Sequence, residues 1–233
     1  MAGNYTPVLG TGTTIKVALL PKGSTAEPVE TSITLAALAA KDTTTPASIT
    51  TPALATGVSI PENAYLAWEA ENGQVVATKV VEAAEAADVA IAVDIIPRDI
   101  ASGSIAAWPP ELQIRTGVDL DRSSNEVTYV TLKSAFEQRV GVSIATGLNL
   151  PGYYNANDAA YKMLEFAQAN QQFVYVIVEY PNQDPLAYST GDIVKGVCSV
   201  TGLPKNAPAD GLISADVTLG FAAPPVFADA TPV

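Results

Sequence analysis

Residues 173–180 read FVYVIVEY, and this run constrains the fold more than any other part of the chain. In an extended strand Phe173, Tyr175 and Ile177 project to one side and Val174, Val176, Val178 and Tyr180 to the other. Both sides are apolar, so the strand must be covered on both faces. The cover for one face directly precedes it. Residues 159–169 contain neither glycine nor a β-branched side chain, and Asn157 or Asp158 can cap a helix there. Ala160, Met163, Leu164 and Ala167 fall on one face at helical spacing, with Lys162, Glu165 and Gln168 opposite. A second sheet is the expected cover for the other face.

Beyond Tyr180 the pattern continues. Pro181-Asn182-Gln183-Asp184-Pro185 has the composition of a turn. In residues 191–202 (GDIVKGVCSVTG), Val194, Gly196, Cys198 and Val200 share a face. A glycine- and proline-containing loop spans 202–211. Ile213, Ala215, Val217 and Leu219 then alternate with Ser214, Asp216 and Thr218, as in a half-buried strand. The whole is an antiparallel β unit with one helix against it.

This order of elements resembles the C-terminal half of the major tail (tail-tube) proteins of long-tailed bacteriophages, the lambda-like family. The shared features are a helix before an aromatic-rich strand that ends at Tyr180-Pro181, the G-V-x-S-V-T-G strand at residues 196–202, a polar loop, and a closing strand ending at Gly220. Gly10-Thr11-Gly12-Thr13-Thr14 followed by IKVALL matches the family's N-terminal pattern. The likeness covers roughly residues 7–22 and 112–220. It implies a mainly β protein, an antiparallel β-sandwich or barrel with one flanking α-helix. It further implies homo-hexameric rings stacked into a tube, the conduit for genome ejection, with tail terminator and tape measure proteins as neighbours, and a sheath as well if the tail is contractile. The implied location is the virion tail, assembled in the host cytoplasm. Double-stranded DNA would pass through without specific binding, and no cofactor, metal or reaction is implied.

Composition narrows the functions independently. There are 24 acidic and 12 basic residues, a net charge of -12, so the surface does not attract nucleic-acid phosphates or an anionic membrane. Histidine is absent, which removes Ser-His-Asp and Cys-His catalysis and most zinc chemistry. No motif places a carboxylate pair, and an enzyme is not expected. Cys198, the single cysteine, reads as a small buried hydrophobe. No apolar run is long enough to span a bilayer, and no charged start precedes an apolar segment, so a soluble protein without a signal peptide is expected.

Taken in order, residues 1–14 (MAGNYTPVLGTGTT) read as an extended arm. Gly10 and Gly12 lack the preceding strand, third glycine and Lys-Ser/Thr of a phosphate loop. Ile15, Val17 and Leu19 begin the first strand. From Lys41 the composition changes, and residues 41–110 read as an inserted small β module that divides the tail-tube-like domain into 1–40 and 111–233. Two stretches echo each other in the module: ALATG (53–57) leading to Trp68, and DIASG (99–103) leading to Trp108. Strands are expected at 74–81 and 89–95. The module holds 9 acids and 3 bases, a net of -6.

Residues 119–126 (DLDRSSNE) are dense in oxygen ligands but lack the glycine and terminal glutamate of an EF-hand, so a solvated loop is expected. Strands are expected at 127–132 and 139–145, and a loop at 146–156 that carries two exposed tyrosines. The tail 221–233 is apolar without a regular pattern and should dock on its own domain or a neighbour. Candidate inter-subunit residues are Tyr5, Gly10, Gly12, Tyr153, Tyr154, Phe221 and Phe227. Asp192 and Asp216, on strand positions expected to be exposed, are the candidates for a channel lining. The competing reading is a carbohydrate-binding or adhesin-type β module in which Trp68, Trp108 and the tyrosines form a stacking platform.

Overall fold

The computed structural model describes residues 12–35, 37–38, 47–69, 75–94, 103–113, 115–129, 138–182, 187–208 and 211–231, with the backbone alone described at 37–38, 47, 50, 124–129 and 138–144. The architecture is mainly β with one helix. The first part of the chain supplies β1 (Thr14–Leu19), β2 (Thr31–Thr34), β3 (Ala37–Leu38), β4 (Ala47–Thr50), β5 (Ser59–Ile60), β6 (Tyr65–Glu69), β7 (Val75–Lys79), β8 (Ala84–Glu85), β9 (Ala90–Val93) and β10 (Ile105–Trp108). A long hairpin comes next, β11 (Asp119–Tyr129) and β12 (Gln138–Leu150), then α1 (Ala159–Asn170). The chain closes with β13 (Val174–Glu179), β14 (Ile193–Gly202), β15 (Lys205–Asn206), β16 (Ser214–Ala215), β17 (Val217–Phe221) and β18 (Val226–Ala228).

The main sheet runs β1–β13–β14–β17–β12–β11, antiparallel throughout. β18 shares one side of β14 with β17: β17 lies beside Cys198–Gly202 and β18 beside Ile193–Lys195. Register partners share a face, so Ile15–Val178–Val194–Phe227 forms one row across four strands. The face to which this row belongs is the core face. It buries Val17, Leu19, Val174, Val176 and Cys198 on one half and Leu148, Leu150, Val217 and Leu219 on the other. α1 packs against β1 and β14, and also against β6 and β7 of the second sheet. Its apolar stripe is the one the sequence shows: Ala160, Met163, Leu164 and Ala167 are all buried. Asp158 is the cap, its Oδ1 accepting from the Tyr161 N–H at 3.0 Å.

The opposite face of β13 is covered, but not by a second sheet as expected. The connector between β1 and β2 lies over it, held by ion pairs from Lys16 to Glu30 (2.6 Å) and from Lys195 to Glu27 (2.7 Å). The register explains the choice: Lys16, Ile177 and Lys195 stand in one row, and the two lysines need acidic partners that an apolar sheet could not give.

The second sheet is β2–β10–β6–β7. It takes β2 from before residue 41 and its other strands from 41–110. Ile33, Leu66, Trp68, Thr78, Ala106 and Trp108 are buried. The pairing Ala106↔Trp68 puts both tryptophans on this buried face, where they cannot serve as a stacking platform. The glycines of the two echoing stretches, Gly57 and Gly103, adopt φ of 85° and 92°, which only glycine takes readily. Smaller sheets, β3–β4–β9 and β5–β8, add Ile49, Ile60, Ile91 and Val93 to the same apolar core. The strands expected at 74–81 and 89–95 are β7 and β9.

Two expected loops are strands. Residues 119–126 belong to β11, and 146–150 belong to β12. The polar letters misled because β11 is an edge strand with one face open to solvent, so from residues 118–123 only Val118 and Leu120 pack against the core.

Candidate subunit-contact and channel-lining surfaces

Away from the connector, the second face of the main sheet lies bare across β14, β17, β12 and β11. One row reads Ser199–Gly220–Gly147–Asp121 and the next Gly202–Thr218–Asn149–Asp119. Asp119, Asp121, Asn149 and Thr218 are exposed, and no described residue of these rows is basic. The hydroxyls are held down on the sheet: Thr201 Oγ1 donates to the Thr218 carbonyl at 2.9 Å and Ser199 Oγ to the Gly220 carbonyl at 3.3 Å. A Cβ at Gly147 would stand 3.2 Å from the Leu219 carbonyl oxygen, so the face is kept low as well as polar. In β11 the acids alternate with Leu120 and Arg122, which face the other way. Asp119 and Asp121 therefore cannot converge with the neighbouring oxygens in the manner of a calcium loop. Among the described residues, no strand pairs with the outer edge of β11.

On the core side, the sheet curls far enough that Ile15 of β1 and Leu120 of β11, from its two edges, line one groove of about 950 Å³. Val118, Val194 and Phe227 complete its apolar wall. The Arg122 guanidinium stacks 4.0 Å from the centre of the Phe227 ring. Residues 110–112 run beside β1, with Val17 N–H donating to the Pro110 carbonyl and Leu112 N–H to the Ile15 carbonyl. The same segment then leaves to join β12, with Thr116 N–H donating to the Pro151 carbonyl at 2.9 Å. This divergence opens the groove.

A clasp at the divergence fixes its geometry. Arg115 donates through Nε to the Gln113 carbonyl (2.9 Å), through Nη1 to those of Ala215 (2.6 Å) and Leu150 (3.3 Å), and through Nη2 to that of Tyr153 (3.0 Å). Burial holds its pKa below the ordinary arginine value. Asp158 Oδ2 accepts from the Gln113 N–H at 2.9 Å, tying the helix start to the same segment. Burial pushes the Asp158 carboxyl up to about 6, and the backbone N–H donors and Arg115 only partly offset this.

The expected contact residues fall in several places. Tyr5 and Gly10 lie outside the described residues. Gly12, with φ of 103°, and Phe227, 45% exposed, both line the groove. Tyr153 is exposed, its carbonyl held by Arg115. Tyr154 is not exposed as its neighbour is: it packs edge-on against Tyr161, centroids 5.6 Å apart, with Lys205 Nζ 4.1 Å from its ring centre and ion-paired to Glu165. Phe221 lies over Gly196 on the core face, its ring filling the space a Cβ there would need. The tail docks on its own domain through β18, and through Ser189 and Thr190, which bond Thr231.

Neither channel candidate sits on an exposed strand position. Asp192 is exposed but precedes β14 and accepts from the Ala230 N–H at 2.9 Å. Asp216 is half-buried between β16 and β17 and accepts from the Gly152 N–H at 3.3 Å. Asp119 and Asp121, missed because their segment reads as a loop, occupy the open face. The alternation of Val118 and Leu120 with the two acids is the signal that identifies it.

No protein-family model and no curated protein matches the chain. Among solved structures, the chain is similar to a chain from the virion of a native gene transfer agent particle, at 13% identity and a TM-score of 0.42, over 50% of this chain and 86% of that one. It is also similar to a chain from the tail of an empty gene transfer agent particle with C6 symmetry, at 13% identity and a TM-score of 0.41, over 49% and 82%.

Proposed function

We propose that this chain is the structural subunit of a phage-type tail tube, six copies to a ring, with rings stacked around a DNA-conducting channel. The observation that carries the reading is the bare sheet face of β14, β17, β12 and β11. A solvent face of small, polar and acidic residues, with no basic residue in its two described rows and with β11 as its edge strand, suits the inner wall of a conduit. Duplex DNA carries one negative charge per roughly 1.7 Å, so a basic wall would gain counterion-release energy at each contact and hold the duplex. A wall of the same sign as the phosphates leaves the profile along the axis flat. The open edge of β11 gives each copy a strand to pair with the next one, and head-to-tail pairing closes a ring.

Analytical ultracentrifugation over a concentration series tests this. A six-subunit species followed by larger particles is expected. A monomer persisting to millimolar concentration would overturn the reading.

A further inference from the structure

We propose that the groove between β1 and β11 is the receptor for the N-terminal segment, residues 1–11, of a second copy of this chain. The inference rests on the tube-subunit reading only in requiring copies to meet. The groove asks for an extended, apolar and uncharged occupant. Its wall is formed by Ile15, Val118, Leu120, Val194 and Phe227, and its volume of about 950 Å³ exceeds what one side chain fills. Two cations, Arg115 and Arg122, and two anions, Asp192 and Asp229, also line it, so it presents no net charge. Arg115 is already committed to four carbonyls and Asp192 to Ala230.

The groove also has backbone to offer. Among the described residues, pairing along the outer edge of β1 stops at Ile15, where 110–112 diverges toward β12. A second groove of about 700 Å³ lies on the other side of Thr13 and Ile15, so the start of β1 stands as a ridge between two openings. An open strand edge beside apolar pockets is the arrangement that captures an extended peptide by strand addition.

Residues 1–11, MAGNYTPVLGT, contain no charged side chain and include Tyr5, Val8 and Leu9. They are continuous with Gly12, which lines the groove. At Gly12 the chain adopts φ of 103° and passes Pro181, whose Cβ is 3.4 Å from the position of a glycine Cβ. That turn breaks the line of β1 at Gly12. A copy stacked on the next can bring its own segment to the groove, which makes the contact heterologous and open-ended.

The test uses the full chain at low micromolar concentration and a fluorescein-labelled peptide of residues 1–11, read by anisotropy. Saturable binding is expected, weakened at least about tenfold by Phe227→Asp and unchanged by Val89→Asp, a control at an exposed site. Circular dichroism checks that both variants are folded. Absence of saturable binding, or equal binding to Phe227→Asp, would overturn the proposal. In concentrated protein, Val8→Cys with Val118→Cys in a Cys198→Ala background should give disulfide-linked dimers and higher species. Closure within single chains only would place the segment in its own groove and overturn the proposal. Peptide binding without ring formation would instead count against the tube reading and leave the groove assignment standing.

Discussion

Asp158 and Arg115 show how much one charged residue can organise in a sheet protein. Asp158 caps α1 and binds the Gln113 N–H from a fully buried position. Its folded pKa of about 6 lies above the ordinary 3.8. The stability this group contributes is therefore fully present below the unfolded pKa and lost as pH rises through the folded one. Unfolding free energy should fall between about pH 4 and pH 6.5 by on the order of 2–3 kcal/mol from this residue. Urea titrations across that range should show the slope in the wild type and a flatter profile in Asp158→Asn. Identical slopes would assign the effect elsewhere. Arg115→Leu removes the donors to four carbonyls at once, and leaving any buried one unmet costs about 1–3 kcal/mol. A lower midpoint with an unchanged far-UV spectrum is expected. The helix cap was legible in sequence because capping depends on local letters. The Arg115 clasp was not, since its acceptors lie on backbone as far away as Ala215.

At the scale of elements, α1 and β13 were legible because their periodicities are strong and both are buried. Leu164→Ala, at the centre of the helix's buried stripe, should destabilise the protein by about 2–5 kcal/mol, measured by thermal or chemical melts. A loss under about 0.5 kcal/mol would mean that α1 does not carry the core. The end of β11 at 127–129 was legible as a strand, but its first part, 119–126, was not. An edge strand with one solvent face needs few apolar residues, and Asp119-Leu120-Asp121-Arg122 meets the pattern with a single leucine. The cover of β13 was misread for a related reason: Lys16 and Lys195 sit at matched positions on one face only once the strands are in register.

For the whole molecule, we propose that 41–110 is an insertion into the tube fold. Replacing it with a short Gly-Ser linker is expected to leave ring formation intact at a lower melting temperature, because α1 loses β6 and β7. Loss of soluble folded protein would place the module within the essential core. The proposed channel wall makes a second prediction. Asp119→Lys with Asp121→Lys replaces two acids per copy with two bases, and assembled tubes should then retain duplex DNA at about 50 mM salt and release it by about 200 mM. Tubes of the wild type should not retain it.

The central claim is the assignment of the bare sheet face to a channel, and electron microscopy with three-dimensional reconstruction of the concentrated protein tests it most directly. The account predicts six-fold rings or tubes in which Thr201, Thr218, Asn149, Asp119 and Asp121 point at the axis. Dispersed monomers, or a lumen lined by the connector side with Lys16 and Lys195 facing inward, would contradict it.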